Sequence, residues 1–180
     1  KPYRCVFKMG TTSNLLYGTP HYIKIGTYGA SESEAIDVGF TDAALQLTPK
    51  FEIEKRMVAQ NLGAVDANMK GASFTLKMTL AEASIENLKM ALSVPDANVA
   101  LGVLSIGAGL GVQKKTIYIE GPGPSGGNRK IKIQKCYLSE PGPYVMDKKS
   151  TNLDLTFELL EDTSVADPKQ RFFVVTDVAV

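Results

Sequence analysis

From Ser73 to Leu80 polar and apolar residues alternate without a break, with Phe74, Leu76, Met78 and Leu80 on one side and Ser73, Thr75, Lys77 and Thr79 on the other. Successive side chains of an extended chain point to opposite faces, so a strict period of two commits this stretch to a strand with one face buried and one face wet. The same period runs through Ala44 to Glu54, where Leu45, Leu47, Phe51 and Ile53 oppose Gln46, Thr48, Lys50, Glu52 and Glu54. It returns between Asn152 and Leu159. Pro49 has no amide hydrogen, which places it at an edge, at a bulge or at a break in the ladder. Shorter runs at Tyr22 to Ile25, Thr116 to Glu120, Lys130 to Gln134 and Phe172 to Val175 complete a set of short strands. With 180 residues and 44% hydrophobic content the chain can bury a substantial core. The expected fold is mainly β: a β-sandwich or barrel of two packed antiparallel sheets with one short flanking α-helix and long loops or arms.

The interruptions of this period are as informative as the period itself. After Leu80 the spacing changes: Ser84 can cap a helix whose apolar positions Ile85, Leu88 and Leu92, with Ala91, form a stripe that must lie on a sheet. Between Lys55 and Lys70 the alternation stops, and a connection too long for a tight hairpin is expected to join two strands. Gly121 to Asn128 reads as the long flexible tip of a hairpin, and Pro141-Gly142-Pro143 as a further turn. Ile131 and Ile133 are odd-numbered whereas Cys136 and Leu138 are even, so a bulge near Gln134-Lys135 is required to keep all four on one face. Val99 to Val112 is small, apolar and glycine-rich, and its pattern selects neither strand nor loop. The expected organisation is a single domain over 1–180, with an N-terminal arm and early strand over 1–35 and a β-barrel core over 36–180 that carries the helix near 84–92.

Chemistry is poorly provided for. His21 is the single histidine, which leaves catalytic triads and histidine-rich metal sites without their usual parts. Cys5 and Cys136 lie far apart with no CxxC partner and read as buried thiols. Gly107-Ala108-Gly109-Leu110-Gly111 misplaces the third glycine of a dinucleotide fingerprint, and Gly121 to Lys130 lacks the Gly-Lys-Ser/Thr ending of a phosphate loop. Neither catalytic residues, nor a metal site, nor a cofactor is expected. Lys and Arg total 20 against 19 Asp and Glu, so the formal charge of +1 gives no general pull toward nucleic acid or anionic lipid. Arg129, Lys130, Lys132 and Lys135, near Tyr118 and Tyr137, form the densest basic cluster and read as a solvated strand face rather than a nucleic-acid site. No apolar run suits a signal or a membrane span, and the absence of an Asn-x-Ser/Thr sequon agrees with an intracellular origin.

Several of these segments together resemble the phage tail tube (major tail) protein family. They are Gly39-Phe40-Thr41-Asp42, the strand Leu45 to Glu54, the connection containing Gly63, the strand Ser73 to Leu80, the helix-bearing stretch Leu80 to Leu92, and Leu153 to Glu161 followed by Phe172 to Asp177. They cover more than half of the chain through spacing and hydrophobicity rather than a fixed motif. Many members carry a glycine pair after the Thr-Asp, where this chain has Ala43-Ala44. The resemblance implies a non-enzymatic virion subunit, assembled in the host cytoplasm, whose hexameric rings stack into a tail channel conducting viral DNA. The implied partners are further copies of the chain, sheath, tape measure, baseplate and terminator proteins, with DNA passing non-specifically and no membrane involved. On this reading Gln46, Lys50, Glu52, Ser73, Thr75, Lys77, Asp154, Thr156 and Glu158 face the lumen, while Leu45, Phe74, Leu76, Met78 and Leu155 fill the core. Arg56, Met57, Val58, Gln60, Asn61, Leu62, Asp66, Asn68 and Met69 would contact a neighbouring ring or subunit. Competing readings are a related ring protein, such as a tail terminator, a baseplate ring or a type VI secretion tube subunit, and a monomeric β-barrel binding module recognising its ligand through Gly121 to Asn128.

Overall fold

A computed structural model describes residues 18–57, 64–94, 99–100, 103–107, 111–146 and 151–178. In chain order these form β1 (Tyr22–Thr27), β2 (Ile36–Asp37), β3 (Gln46–Met57), β4 (Ala64–Leu80), α1 (Ile85–Ala91), β5 (Val99–Ala100), β6 (Val103–Leu104), β7 (Lys114–Pro122), β8 (Asn128–Met146), β9 (Thr151–Leu159) and β10 (Phe173–Val178). The main sheet is antiparallel, in the order β2-β1-β7-β8-β9-β4-β3, with β10 also paired to β8; β5 and β6 form a separate small pair. Pro49 sits on β3, the edge strand, where a missing donor costs no ladder bond to a second neighbour.

The long strand β8 turns one sheet into two layers. Its first part pairs with β7 on one side and β10 on the other, and its later part, from Cys136, pairs with β9. Lys115 to Ile117 of β7 faces Cys136 to Ile133 of β8, so the extra residue is absorbed at Gln134-Lys135, where the sequence parity requires a bulge. Pro141-Gly142-Pro143 is not a turn between strands. It lies within β8, whose register skips between Pro141 and Tyr144, and a bulge is where a strand tolerates residues that cannot donate.

Ile23 and Ile25 of β1, Ile117 and Ile119 of β7, and Ile133 and Cys136 of β8 meet Leu76, Met78 and Leu80 of β4 and Leu153, Leu155, Phe157 and Leu159 of β9 in one buried cluster. The fold is therefore mainly β and sandwich-like, with both layers drawn from one continuous sheet rather than two separate ones. Each fully buried Leu, Ile or Phe contributes about 1.5–3 kcal/mol, so this cluster is the main source of stability. The early strand, assigned on sequence to an N-terminal arm, is part of that core. Cys136 is buried as expected; its thiol donates to the Lys115 carbonyl at 3.4 Å, and burial pushes its pKa up to about 12. Cys5 lies outside the described residues.

Between β2 and β3 the chain crosses from one layer to the other. The Val38 amide donates to Ile23 O at 2.9 Å, Asp42 N–H to Thr79 O at 3.0 Å, and Ala81 N–H to Phe40 O at 2.8 Å. Gly39 makes the crossing possible: its φ is +78°, and a Cβ there would meet the Glu82 carboxylate within 2.4 Å.

Helix α1 starts as expected, with Ser84 Oγ accepting from the Asn87 amide at 3.2 Å. Its inward face is rotated from the expected stripe. Asn87 and Ala91 are buried and Leu88 and Met90 pack on the core, whereas Ile85 is exposed. Asn87 Nδ2 explains the rotation, because it donates to Val38 O at 2.9 Å and Glu82 O at 2.8 Å and so ties the helix to the crossing segment. The β7–β8 turn is also tighter than expected. A single 3-10 turn at Pro124–Gly126 is closed by Gly123 N–H to Gly127 O at 2.7 Å, with Gly123 packed so closely that a Cβ would lie 2.7 Å from the Asn128 carbonyl carbon.

Candidate functional site: a polar sheet face and a projecting ribbon

Because Leu76, Met78 and Leu80 of β4 and Leu153, Leu155, Phe157 and Leu159 of β9 point into the core, the residues between them share the opposite face. The register then sets the rows across β3, β4 and β9. Gln46 lies beside Lys77 and Lys77 beside Thr156; Thr48 lies beside Thr75 and Thr75 beside Glu158; Lys50 lies beside Ser73. Glu52 stands opposite Gly71 at the outer end of the face, and Asp154 opposite Thr79 at the inner end. All nine residues expected to share a polar surface are thus on one side of one sheet.

β8 extends this face with residues that sequence reasoning passed over. Glu140 lies beside Thr156, and Tyr137 beside Glu158. The Tyr137 hydroxyl donates to Glu158 Oε2 at 2.5 Å, which raises the tyrosine pKa, and Thr79 Oγ1 donates to Asp154 Oδ1 at 2.6 Å. A shallow hollow of about 500 Å³ runs between Gln46, Lys77, Thr79, Glu140, Asp154 and Thr156. Lys50 and Lys77 on this face are outnumbered by Glu52, Glu140, Asp154 and Glu158, so the face carries net negative charge although the chain as a whole is nearly neutral.

The expected connection over Lys55 to Lys70 is largely strand. β3 continues to Met57 and β4 begins at Ala64, which places Arg56, Met57, Asp66, Asn68 and Met69 in a two-stranded ribbon; Val58, Gln60, Asn61 and Leu62 lie outside the described residues. Two register shifts, between Glu52 and Ile53 and between Arg56 and Met57, hide the period from the sequence. Pairing of β4 with β9 ends at Phe74 opposite Leu159, so the ribbon runs on past the sandwich.

The ribbon is amphipathic. The shift after Glu52 brings Met69 opposite Ile53, on the face that Phe51 shares with the core, and Met57 follows on β3. Phe51, Ile53, Met57 and Met69 are 48%, 58%, 67% and 64% exposed. The opposite face is polar, with Glu54 and Lys70 paired at 3.2 Å. Lys55, opposite Ala67, separates Met57 from the others on this face, so the apolar patch is Phe51, Ile53 and Met69, and an exposed apolar patch beside a polar face is the composition of an interaction site. Phe51 stands edge-on to Phe74 at 6.3 Å, and Phe74 packs on Phe172 and Phe173, so the patch is continuous with the sandwich interior.

The basic cluster is largely spoken for. Arg129 makes a two-pronged pair with Asp177 at 2.6 and 2.9 Å, Lys130 reaches Glu120 at 3.0 Å, and the ammonium groups of Lys132 and Lys135 lie over the rings of Tyr118 and Tyr28. Phosphate would have to displace these internal partners. His21 is exposed at the entry to β1, its amide bonded to Glu120 O at 2.7 Å. Among the described residues no group of three or more His, Cys, Asp or Glu is placed to hold a metal ion, and no helix is long and apolar enough to cross a membrane. No protein-family model and no curated protein matches this chain.

Proposed function

We propose that this chain is a non-enzymatic structural subunit that assembles with copies of itself into hexameric rings stacked as a phage tail tube, with viral DNA passing through the lumen. The observation that carries this reading is the ribbon: paired strands running past the sandwich with an apolar patch left uncovered. An isolated chain gains nothing from such a patch, whereas a repeating assembly buries it at every contact. The polar face supports the same reading, since a net negative, solvated wall repels phosphate and lets DNA slide without sticking. Among the described residues β3 and β10 each pair on one side only, and their other edges would supply main-chain donors and acceptors for neighbouring subunits. The test is negative-stain electron microscopy of the purified protein with sedimentation velocity over a concentration series. Rings or tubes support the proposal, rings that never stack favour a terminator or baseplate ring, and a monomer at every concentration overturns it.

A further inference from the structure

We infer that residues 28–35, between β1 and β2, form a releasable cover over a binding site for an acidic segment of a partner protein, on the outer face of the β1–β7–β8 layer. With Ile23, Ile25, Ile117, Ile119 and Ile133 turned into the core, the residues between them make up that outer face. The register sets two rows on it. Lys24 lies beside Tyr118 and Tyr118 beside Lys132, while Tyr22 lies beside Glu120 and Glu120 beside Lys130. Residues 28–35 fold back across these rows: Gly29 N–H donates to Thr116 Oγ1 at 3.1 Å, the Tyr118 hydroxyl donates to Ala30 O at 2.8 Å, and Glu32 meets the Tyr22 hydroxyl and, at 3.7 Å, Lys130. Gly26 permits the fold-back, since a Cβ there would lie 2.9 Å from Ala30 Cβ.

The cover is weakly held. None of its residues belongs to the buried cluster. Tyr22 has one hydroxyl hydrogen but faces two carboxylates, Glu32 and, at 2.7 Å, Glu120. Glu120 also keeps Lys130 at 3.0 Å and Asn128 at 2.6 Å, whereas Glu32 has only the longer contact to a half-exposed Lys130, and such pairs contribute little. A segment held this way opens locally at small cost. Beneath it, the ammonium groups of Lys24 and Lys132 lie over the rings of Tyr22 and Tyr118, and among the described residues no carboxylate pairs with either. Lifting Glu32 and Glu34 away turns the face from net negative to net positive, leaving Lys24, Lys130 and Lys132 against Glu120 and Asp37. A cavity of about 180 Å³ beside Glu32 is already lined by Tyr118, Lys130, Lys132 and Thr176. Lys24 and Lys132 stand two strand spacings apart, about 9.6 Å, and carboxylates two residues apart in an extended segment, about 6.8 Å, come within side-chain reach of both. Glu32 and Glu34 have that spacing, but Glu34 is folded onto the Ser31 amide and hydroxyl at 2.8 Å, which leaves the lysine row to a partner.

The test is fluorescence anisotropy of a fluorescein-labelled hexaglutamate peptide titrated with the full chain. The site lies within one chain, so binding is read below the assembly range and stands apart from ring formation. E32A, which frees the cover, should bind the peptide at least about tenfold more tightly than the wild type, and K24A/K132A added to E32A should undo that gain. E32Q removes the same charge but supplies the missing hydrogen, its amide donating to Tyr22 Oη while Tyr22 donates to Glu120, so the cover stays closed and affinity stays at the wild-type level. All three substituted side chains lie outside the core, and a thermal melt checks that each variant is folded. E32A binding no more tightly than the wild type, or E32Q binding as tightly as E32A, overturns the cover. Tight binding that survives K24A/K132A overturns the site. Oligothymidylate that displaces the peptide more effectively than unlabelled hexaglutamate assigns the face to phosphate chains and likewise overturns the inference.

Discussion

Replacing Ile53 by serine separates the two roles an apolar residue can have, filling the core of one chain or joining two chains. Full burial of an isoleucine side chain contributes about 1.5–3 kcal/mol. Ile53 is 58% exposed, so somewhat under half of that is realised within the subunit and the larger part awaits a partner. I53S should then cost the monomer about 1 kcal/mol, a fall in Tm of about 2–4 °C for a chain of this size. It should cost each ribbon contact about 1–2 kcal/mol, a factor of about 5–30 in the corresponding equilibrium, multiplied when contacts repeat around a ring. L155A is the contrast, because Leu155 is fully buried; it should cost about 2–5 kcal/mol and lower Tm by roughly 10 °C. Sedimentation velocity across a concentration series reads assembly, and a thermal melt below the assembly range reads the subunit. The reasoning fails if I53S assembles at the wild-type concentration, or if it melts as low as L155A.

Charge reversal at Lys50 and Lys77 should leave Tm within about 2 °C, since both are exposed on the polar face, yet should alter DNA passage through assembled tails; a large loss of monomer stability would place them in a structural role. Glu120 is held below the ordinary glutamate pKa by the Tyr22 hydroxyl at 2.7 Å and by Lys130, so its stabilising contribution is complete above about pH 4.3 and is lost as pH falls through the lower folded value. E120Q should accordingly flatten the acid limb of a plot of Tm against pH, and an unchanged limb would assign acid sensitivity to other carboxylates such as Asp177. G123A should destabilise the β7–β8 turn by about 1–3 kcal/mol, because the added methyl carbon lies 2.7 Å from backbone; wild-type stability in a chemical melt would mean that the turn yields.

Strand alternation made the core legible, because period two with one wet face leaves little freedom in which side chains turn inward. It placed Leu76, Met78, Leu155 and their neighbours, the polar face opposite them, and the bulge at Gln134-Lys135. It failed where burial stops discriminating. Along the ribbon both faces are exposed, so a regular ladder needs no alternation, and two register shifts disguise what remains. Glu140 was missed because the Pro-Gly-Pro run beside it reads as a turn, although β8 passes through that run as a bulge. The tightness of the Gly123 turn depends on contacts across the hairpin that local composition does not encode. Asn87 escaped notice for another reason: its inward face is set by two carbonyls distant in sequence or outside the helix, and a polar residue within an apolar stripe carries no periodic signal.

Self-assembly through the ribbon is tested most directly by imaging wild-type and I53S protein side by side, at equal concentration, by negative-stain electron microscopy. The account predicts rings stacked into tubes for the wild type, and unstacked rings or free subunits for I53S. Free subunits in both, or tubes of equal length in both, would contradict it.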